Sequence, residues 1–408
     1  MKINKYKNYI YFLFLLSPFV DSLSGYLILN NYLSEGSLAT PSQIYRALVS
    51  IFSFLIILHS KKYFLYLLLF SLYFLLLETF IFLLHGSIYT YLIGLIYSYK
   101  IIYLFLLFFS IYVLLIKKYI NYSFLLININ ICIALTSIIL ITSFVFNIGF
   151  PTYIDGAFGT KGFFAAGNGL GIYLGIGLLI SIFYYSNTKN KYLFLVCILN
   201  ICALSLIGTK TTFLFLTAGL VFLCFYFDNK LLSVILSIII IICLFVFKDS
   251  IASLLSKMFD VVLFRFNNSG SFSHFLLSSR DSYLIEAFKH VNYDGMYIIR
   301  IFFGLGAYYS FRNFDDYTIG IDILESDVSD IFFMYGINIL VIYLFIMCFI
   351  VKFFIIKKQY LLMFASIMLF GHSILAGHVL FNGMSGIMIP LIVIIGIFSN
   401  NTRKRLSL

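Results

Sequence analysis

Four short polar groups hold the residues of this chain that could do chemistry. The first is Gly159-Thr160-Lys161-Gly162-Phe163-Phe164-Ala165-Ala166-Gly167-Asn168. Glycines let backbone N–H groups approach an anion closely, a helix start favours negative charge, and Lys161 adds a full positive one. The same residues also read as a glycine-rich turn with an interfacial lysine. The second group, Gly208-Thr209-Lys210-Thr211-Thr212, sets another lysine among hydroxyls at a helix start. Two such lysine turns on one face would suit an anion better than either alone. The third is Ser278-Ser279-Arg280-Asp281-Ser282-Tyr283-Leu284. Ser278 and Asp281 have capping-box spacing, so a helix should begin there. Arg280 then lies in a first turn, where the helix dipole disfavours a cation unless it meets an anion. Pairing with Asp281 or Glu286 is the alternative. The fourth is Glu325-Ser326-Asp327-Val328-Ser329-Asp330, three acids at the mouth of an apolar run. Paired carboxylates near a basic cluster can supply a general base and an orienting partner. They also suit the N-terminal dipole of any helix. Asp21, Arg46, Gly377 and His378 are lesser candidates at span ends, and Glu78 should pair within a bundle or reach outward.

The elements that must position these groups are set by composition. Of 408 residues, 62% are hydrophobic and 11% charged, against about 25% charged in soluble domains. Apolar runs long enough for a ~30 Å hydrocarbon core recur throughout. The expected fold is an all-α polytopic membrane protein of about 12 transmembrane helices with a large extracytoplasmic loop. The spans are expected near 8–20, 44–59, 63–84, 97–116, 121–145, 168–185, 192–207, 212–227, 231–247, 329–350, 359–376 and 379–397. The stretch 86–96 is either a re-entrant piece or an extension of the fourth span. Residues 1–247 thus carry nine spans and the outer loop 146–167. Residues 248–328 form the large loop with short helices. Residues 329–408 carry three spans and a basic tail.

Charge orients the chain. Sixteen of the 27 Lys and Arg residues, from Lys2 to Arg405, fall in tails and short turns on one side. The positive-inside rule makes that side cytoplasmic and places both termini there. Eleven of the 16 acids lie between Asp249 and Asp330, on the other side, so the polar chemistry is expected outside. The net charge of +11 is spread over span ends and does not indicate nucleic acid. No phosphate-binding glycine loop of the G-x-x-x-x-G-K-[ST] type is present, so an activated substrate or a gradient must supply the energy. The six cysteines lie in apolar runs and read as packing residues. No metal and no cofactor is expected.

In this order and on one face, the polar groups resemble the polytopic O-antigen and capsule polymerases of the Wzy type, within the wider O-antigen ligase and polymerase superfamily. The matching stretches are GTKGFFAAGN (159–168), IGTKTT (207–212), LLSSRDSYL (276–284), FGLGAYYS (303–310), ESDVSDIFFMYGI (325–337) and AGHVLF (376–381), with SPFVDSLSGY (17–26) and QIYRAL (43–48). The resemblance implies transfer of a growing glycan from undecaprenyl pyrophosphate onto a new lipid-linked repeat unit, at the outer face of the bacterial cytoplasmic membrane. It implies membrane lipid, a chain-length regulator and a flippase as partners. The ligases place a histidine-asparagine pair about eleven residues before the glycine of the following span. Here that position, counted from Gly336, is Glu325, a departure that favours polymerase over ligase. The ligases also place an arginine where Lys210 stands.

The expected catalytic residues are Glu325, as base toward the attacking sugar hydroxyl, and Arg280, as a bidentate clamp on the leaving pyrophosphate. Lys161 and Lys210 would share the pyrophosphate charge, and Asn168, Asp327, Asp330, His378 and Arg46 would contact substrate. A ligase-type transferase is one alternative. A flippase or transporter is another, and would place charges at mid-span. A non-catalytic scaffold would need no convergent cations and carboxylates.

Overall fold

Lipid offers no partner for a backbone N–H or C=O, so apolar runs can cross a membrane only as helices. The computed structural model describes residues 2–34, 40–152, 159–226, 284–285, 287–289, 297–310, 324, 326–377 and 379–399. In order these form α1 (Lys2–Leu15), α2 (Ser17–Leu29), α3 (Pro41–Ile57), α4 (Lys61–His85), α5 (Ile88–Ile116), α6 (Tyr122–Val145), β1 (Phe150–Pro151), β2 (Thr160–Gly162), α7 (Gly167–Thr188), α8 (Lys191–Ile207) and α9 (Lys210–Tyr226). There follow α10 (Tyr297–Phe303), α11 (Gly306–Tyr309), α12 (Asp327–Ile356), α13 (Tyr360–Leu375), α14 (Gly383–Gly386) and α15 (Met388–Phe398).

Six stretches are long and apolar enough to span: Lys5–Leu29, Lys61–Leu84, Ile88–Ile116, Tyr122–Val145, Gly167–Thr188 and Asp327–Ile356. Shorter apolar helices occupy Pro41–Ile57, Lys191–Ile207, Lys210–Tyr226, Tyr360–Leu375 and Gly383–Phe398. The chain is a multi-pass membrane protein. Two boundaries differ most from those expected. The first span is longer than 8–20, because α1 and α2 run on through a break at Leu16, two residues before Pro18. Proline has no N–H to return to the Phe14 carbonyl, and the Ser17 hydroxyl donates to that carbonyl at 3.4 Å instead. Residues 88–96 extend the fourth span as part of α5, started by Ser87, whose side chain accepts from the Thr90 N–H. The expected span at 231–247 lies outside the described residues, as does most of 248–328. The described part of that stretch includes the short helices α10 and α11.

The chain divides into two compact units. Residues 1–49 and 120–270 make the first. Its centre is α7, whose most apolar 18-residue window is 89% buried, walled by α6, α8 and α9. A glycine-rich face allows this close approach. A Cβ on Gly175 would collide with the Phe215 ring, and one on Gly171 with Thr212.

Residues 50–119 and 271–408 make the second unit. Here α12 is broken at Gly336, whose φ of 77° and ψ of 179° lie in a region essentially reserved for glycine. The break is filled by the turn between α10 and α11. The Phe333 carbonyl accepts from the Leu305 N–H at 3.3 Å and from the Ser310 hydroxyl at 2.8 Å. The Tyr335 carbonyl accepts from the Tyr73 hydroxyl at 3.2 Å. Irregular backbone inside a span is tolerated only when protein supplies such partners. Glu78, on α4 and only 2% exposed, accepts from the Ala307 N–H at 3.3 Å and so holds α11 from the other side.

Candidate functional site

The first unit brings the two lysine turns to one end of its bundle. β1 and β2 form a small antiparallel hairpin, pairing Pro151 with Thr160 and Phe150 with Gly162. The hairpin lies against the end of α8. The Thr152 hydroxyl donates to the Ile207 carbonyl at 2.7 Å, and Gly159 packs so tightly on that carbonyl that a side chain there would collide with it. Lys161 follows Gly159 by two residues on β2, and Lys210 follows Ile207 by three at the start of α9.

Local chemistry shapes both lysine turns. The half-buried Lys161 ammonium donates to the Ala165 carbonyl at 3.1 Å across its own turn. Lys210 is exposed. The turn before it is locked by reciprocal capping: Thr209 N–H donates to Thr212 Oγ1 at 3.0 Å, and Thr212 N–H donates to Thr209 Oγ1 at 3.3 Å. The start of α7 differs, because its N-cap, Ala166, has no side-chain acceptor for the first N–H groups. Asn168, half-buried, is the second residue of that helix. Two lysines and two helix starts thus gather at one end, an arrangement that attracts a polyanion.

Arg46 is placed differently. Its guanidinium donates to Asp21 Oδ1 at 2.9 Å, with side chains 16% and 13% exposed, and so joins α3 to α2. The Ser42 N–H donates to Ser24 Oγ at 2.7 Å across the same pair of helices. Asp21 answers most of the Arg46 charge, leaving it less for a ligand than Lys161 or Lys210.

The second unit orders the acidic group. Asp327 is fully buried and Asp330 is 1% exposed. Asp327 Oδ2 accepts from the Ser373 hydroxyl at 2.8 Å, the Val379 N–H at 3.1 Å and the Leu380 N–H at 3.2 Å. Asp330 Oδ1 accepts from the Leu324 N–H at 2.7 Å. The Ser326 hydroxyl donates to the Ile374 carbonyl at 2.8 Å. A buried hydrogen bond contributes about 1 kcal/mol, and several together tie the start of α12 to the end of α13 and the turn after it. The two aspartates, expected to contact substrate, face the protein's own donors. Glu325, Arg280 and His378 lie outside the described residues. Ser373 and Thr152 were not singled out in the sequence; a serine in an apolar run and a threonine in a loop carry no local signal. Among the described residues, no group of three or more His, Cys, Asp and Glu side chains could hold a metal ion.

No curated protein and no solved structure matches the chain. A family model described as O-antigen ligase like membrane protein matches residues 3–234. The matched stretch contains Arg46, Lys161, Asn168 and Lys210, and it ends before the acidic group. It covers more than half of the 408 residues, and the chain belongs to the O-antigen ligase-like family of membrane proteins.

Proposed function

We propose that this protein is a polysaccharide polymerase that joins undecaprenyl-pyrophosphate-linked oligosaccharide repeat units at the outer face of the bacterial cytoplasmic membrane. The observation that carries this reading is that Lys161, on the β2 strand that precedes α7, and Lys210, at the start of α9, come to one end of the first unit, within the stretch matched by the family. Pyrophosphate is a good leaving group once its charge is answered. Charge grows on its oxygens as the glycosidic bond breaks, so fixed cations stabilise the transition state more than the ground state. Lys161 and Lys210 take this role; the roles of Arg280 on the pyrophosphate and of Glu325 as the base toward the attacking sugar hydroxyl rest on the resemblance of their sequence alone. A single inverting displacement is the simplest course, with Asn168 and His378 as further substrate contacts.

The family match is equally compatible with a second reading, a ligase that moves finished glycan from the same carrier to a final acceptor. Deleting the gene and resolving the surface and carrier-linked glycans on a gel separates the two. A polymerase is expected to leave a single repeat unit and no ladder. A ladder that persists but stays on its carrier identifies a ligase. Units trapped inside the cell identify a flippase and overturn both.

A further inference from the structure

We infer that Asp327 is a positioning residue that clasps the start of α12 to the turn after α13, so that two polar segments far apart in sequence move as one piece. Its three donors come from 46, 52 and 53 residues away. All three converge on one oxygen of a fully buried carboxylate. A neutral side chain cannot take that place equally well. An amide oxygen attracts donors less strongly, and a hydroxyl would bring a donor of its own.

The clasp is reinforced on both sides. Asp330 takes the Leu324 N–H, three residues before Asp327. Ser326 reaches the Ile374 carbonyl, next to Ser373. Ser373 is itself 2.6 Å from the Tyr343 hydroxyl on α12. The turn is fixed at its far end as well. The Ser385 hydroxyl donates to the Val379 carbonyl at 3.4 Å, and Asn382 caps α14 by accepting from the Met384 N–H at 2.9 Å.

For the transfer reaction this inference rests on the polymerase reading. Residues 325 and 378 each adjoin, in sequence, a residue held by the clasp or its reinforcements. Catalytic effects fall steeply when a reacting group is displaced by about 1 Å. Asp327 would therefore act on the rate through its neighbours, without touching substrate.

The test uses the full-length protein in phospholipid nanodiscs, comparing wild type with Asp327→Ala, Asp327→Asn and Ser373→Ala. Amide hydrogen exchange at Val379 and Leu380 is read against exchange in α7. Turnover of lipid-linked repeat units gives kcat and KM. Losing a charged acceptor from a buried N–H should speed exchange at both amides about tenfold or more in Asp327→Ala, with α7 unchanged. In the same variant kcat should fall about 100-fold while KM holds. Asp327→Asn and Ser373→Ala should give smaller changes of the same kind, and they carry both measurements if Asp327→Ala does not accumulate. Unchanged exchange in the variants overturns the clasp. A raised KM with constant kcat, which would make Asp327 a substrate contact, or faster exchange with unaltered kinetics, overturns the positioning role. The exchange measurement needs no substrate, so a wild-type protein that transfers no sugar would overturn the polymerase reading and leave the clasp to be judged by exchange.

Discussion

Lys210 stands at the start of α9, exposed, behind a turn that Thr209 and Thr212 lock together. A rigid turn fixes the backbone from which the lysine reaches, and on the polymerase reading its ammonium meets the pyrophosphate. Only charge is needed there, so Lys210→Arg should keep most activity. Lys210→Ala should lower the transfer rate about 10–100-fold, as loss of one charge-assisted contact implies. Lys191→Ala, at the start of α8, serves as the control and should change nothing. Polymer formation from lipid-linked repeat units measures all three, and full activity in Lys210→Ala would remove this lysine from the site. At this scale the sequence was legible in part. Lysines among glycines and hydroxyls draw attention to the two turns, and the structure brings both to one end of the first unit. What the spacing could not announce was that Thr152 and Gly159 would dock the first turn onto the carbonyl that precedes the second. It also gave Asp327 and Asp330 to the substrate, because the donors that bury them come from distant segments or from backbone that carries no residue-type signal.

Spans are easy to read because lipid leaves the backbone one option, and among the described residues the apolar runs are helices. The break in α12 was not legible. Residues 329–350 read as one span, and a single glycine in such a run usually signifies close packing. Here Gly336 and Gly304 interlock. A Cβ on Gly336 would collide with the Phe302 carbonyl, and one on Gly304 with the Met334 carbonyl. The partners of the break lie some 30 residues upstream, around the α10–α11 turn, and no local pattern links them. The consequence is measurable. Gly336→Ala combines a forbidden backbone conformation with a backbone collision, so it should destabilise by at least about 1–3 kcal/mol. Gly371→Ala, in the helical α13 with open space around it, should be neutral or stabilising by up to about 1 kcal/mol. Thermal unfolding of the two variants in the same detergent distinguishes them. Equal melting temperatures would mean that α12 is continuous in solution.

Across the whole molecule, the strongest regularity in the sequence is the sorting of charge by side, and it yields a prediction independent of any catalytic role. Sixteen of the 27 Lys and Arg residues fall in the tails and short turns that an even number of spans would return to one side. Moving a Lys or Arg across a membrane is unfavourable, and insertion settles into the orientation that leaves most of them behind. The turn before α8, which carries Lys189 and Lys191, should therefore face the cytoplasm, as should the turn after α12, with Lys357 and Lys358. The hairpin and the start of α7 should face out. Exposed positions report each side: Lys191 and Lys357 for the first, Ala166 and Ile148 for the second. Replaced singly by cysteine in a background whose native cysteines are changed to serine or alanine, the second pair should react with a membrane-impermeant maleimide in intact cells. The first pair should react only after the membrane is opened. Labelling of Lys191→Cys in intact cells together with protection of Ala166→Cys would invert the chain. Lys161 and Lys210 would then lie on the cytoplasmic side, where an extracytoplasmic polymerase could not use them.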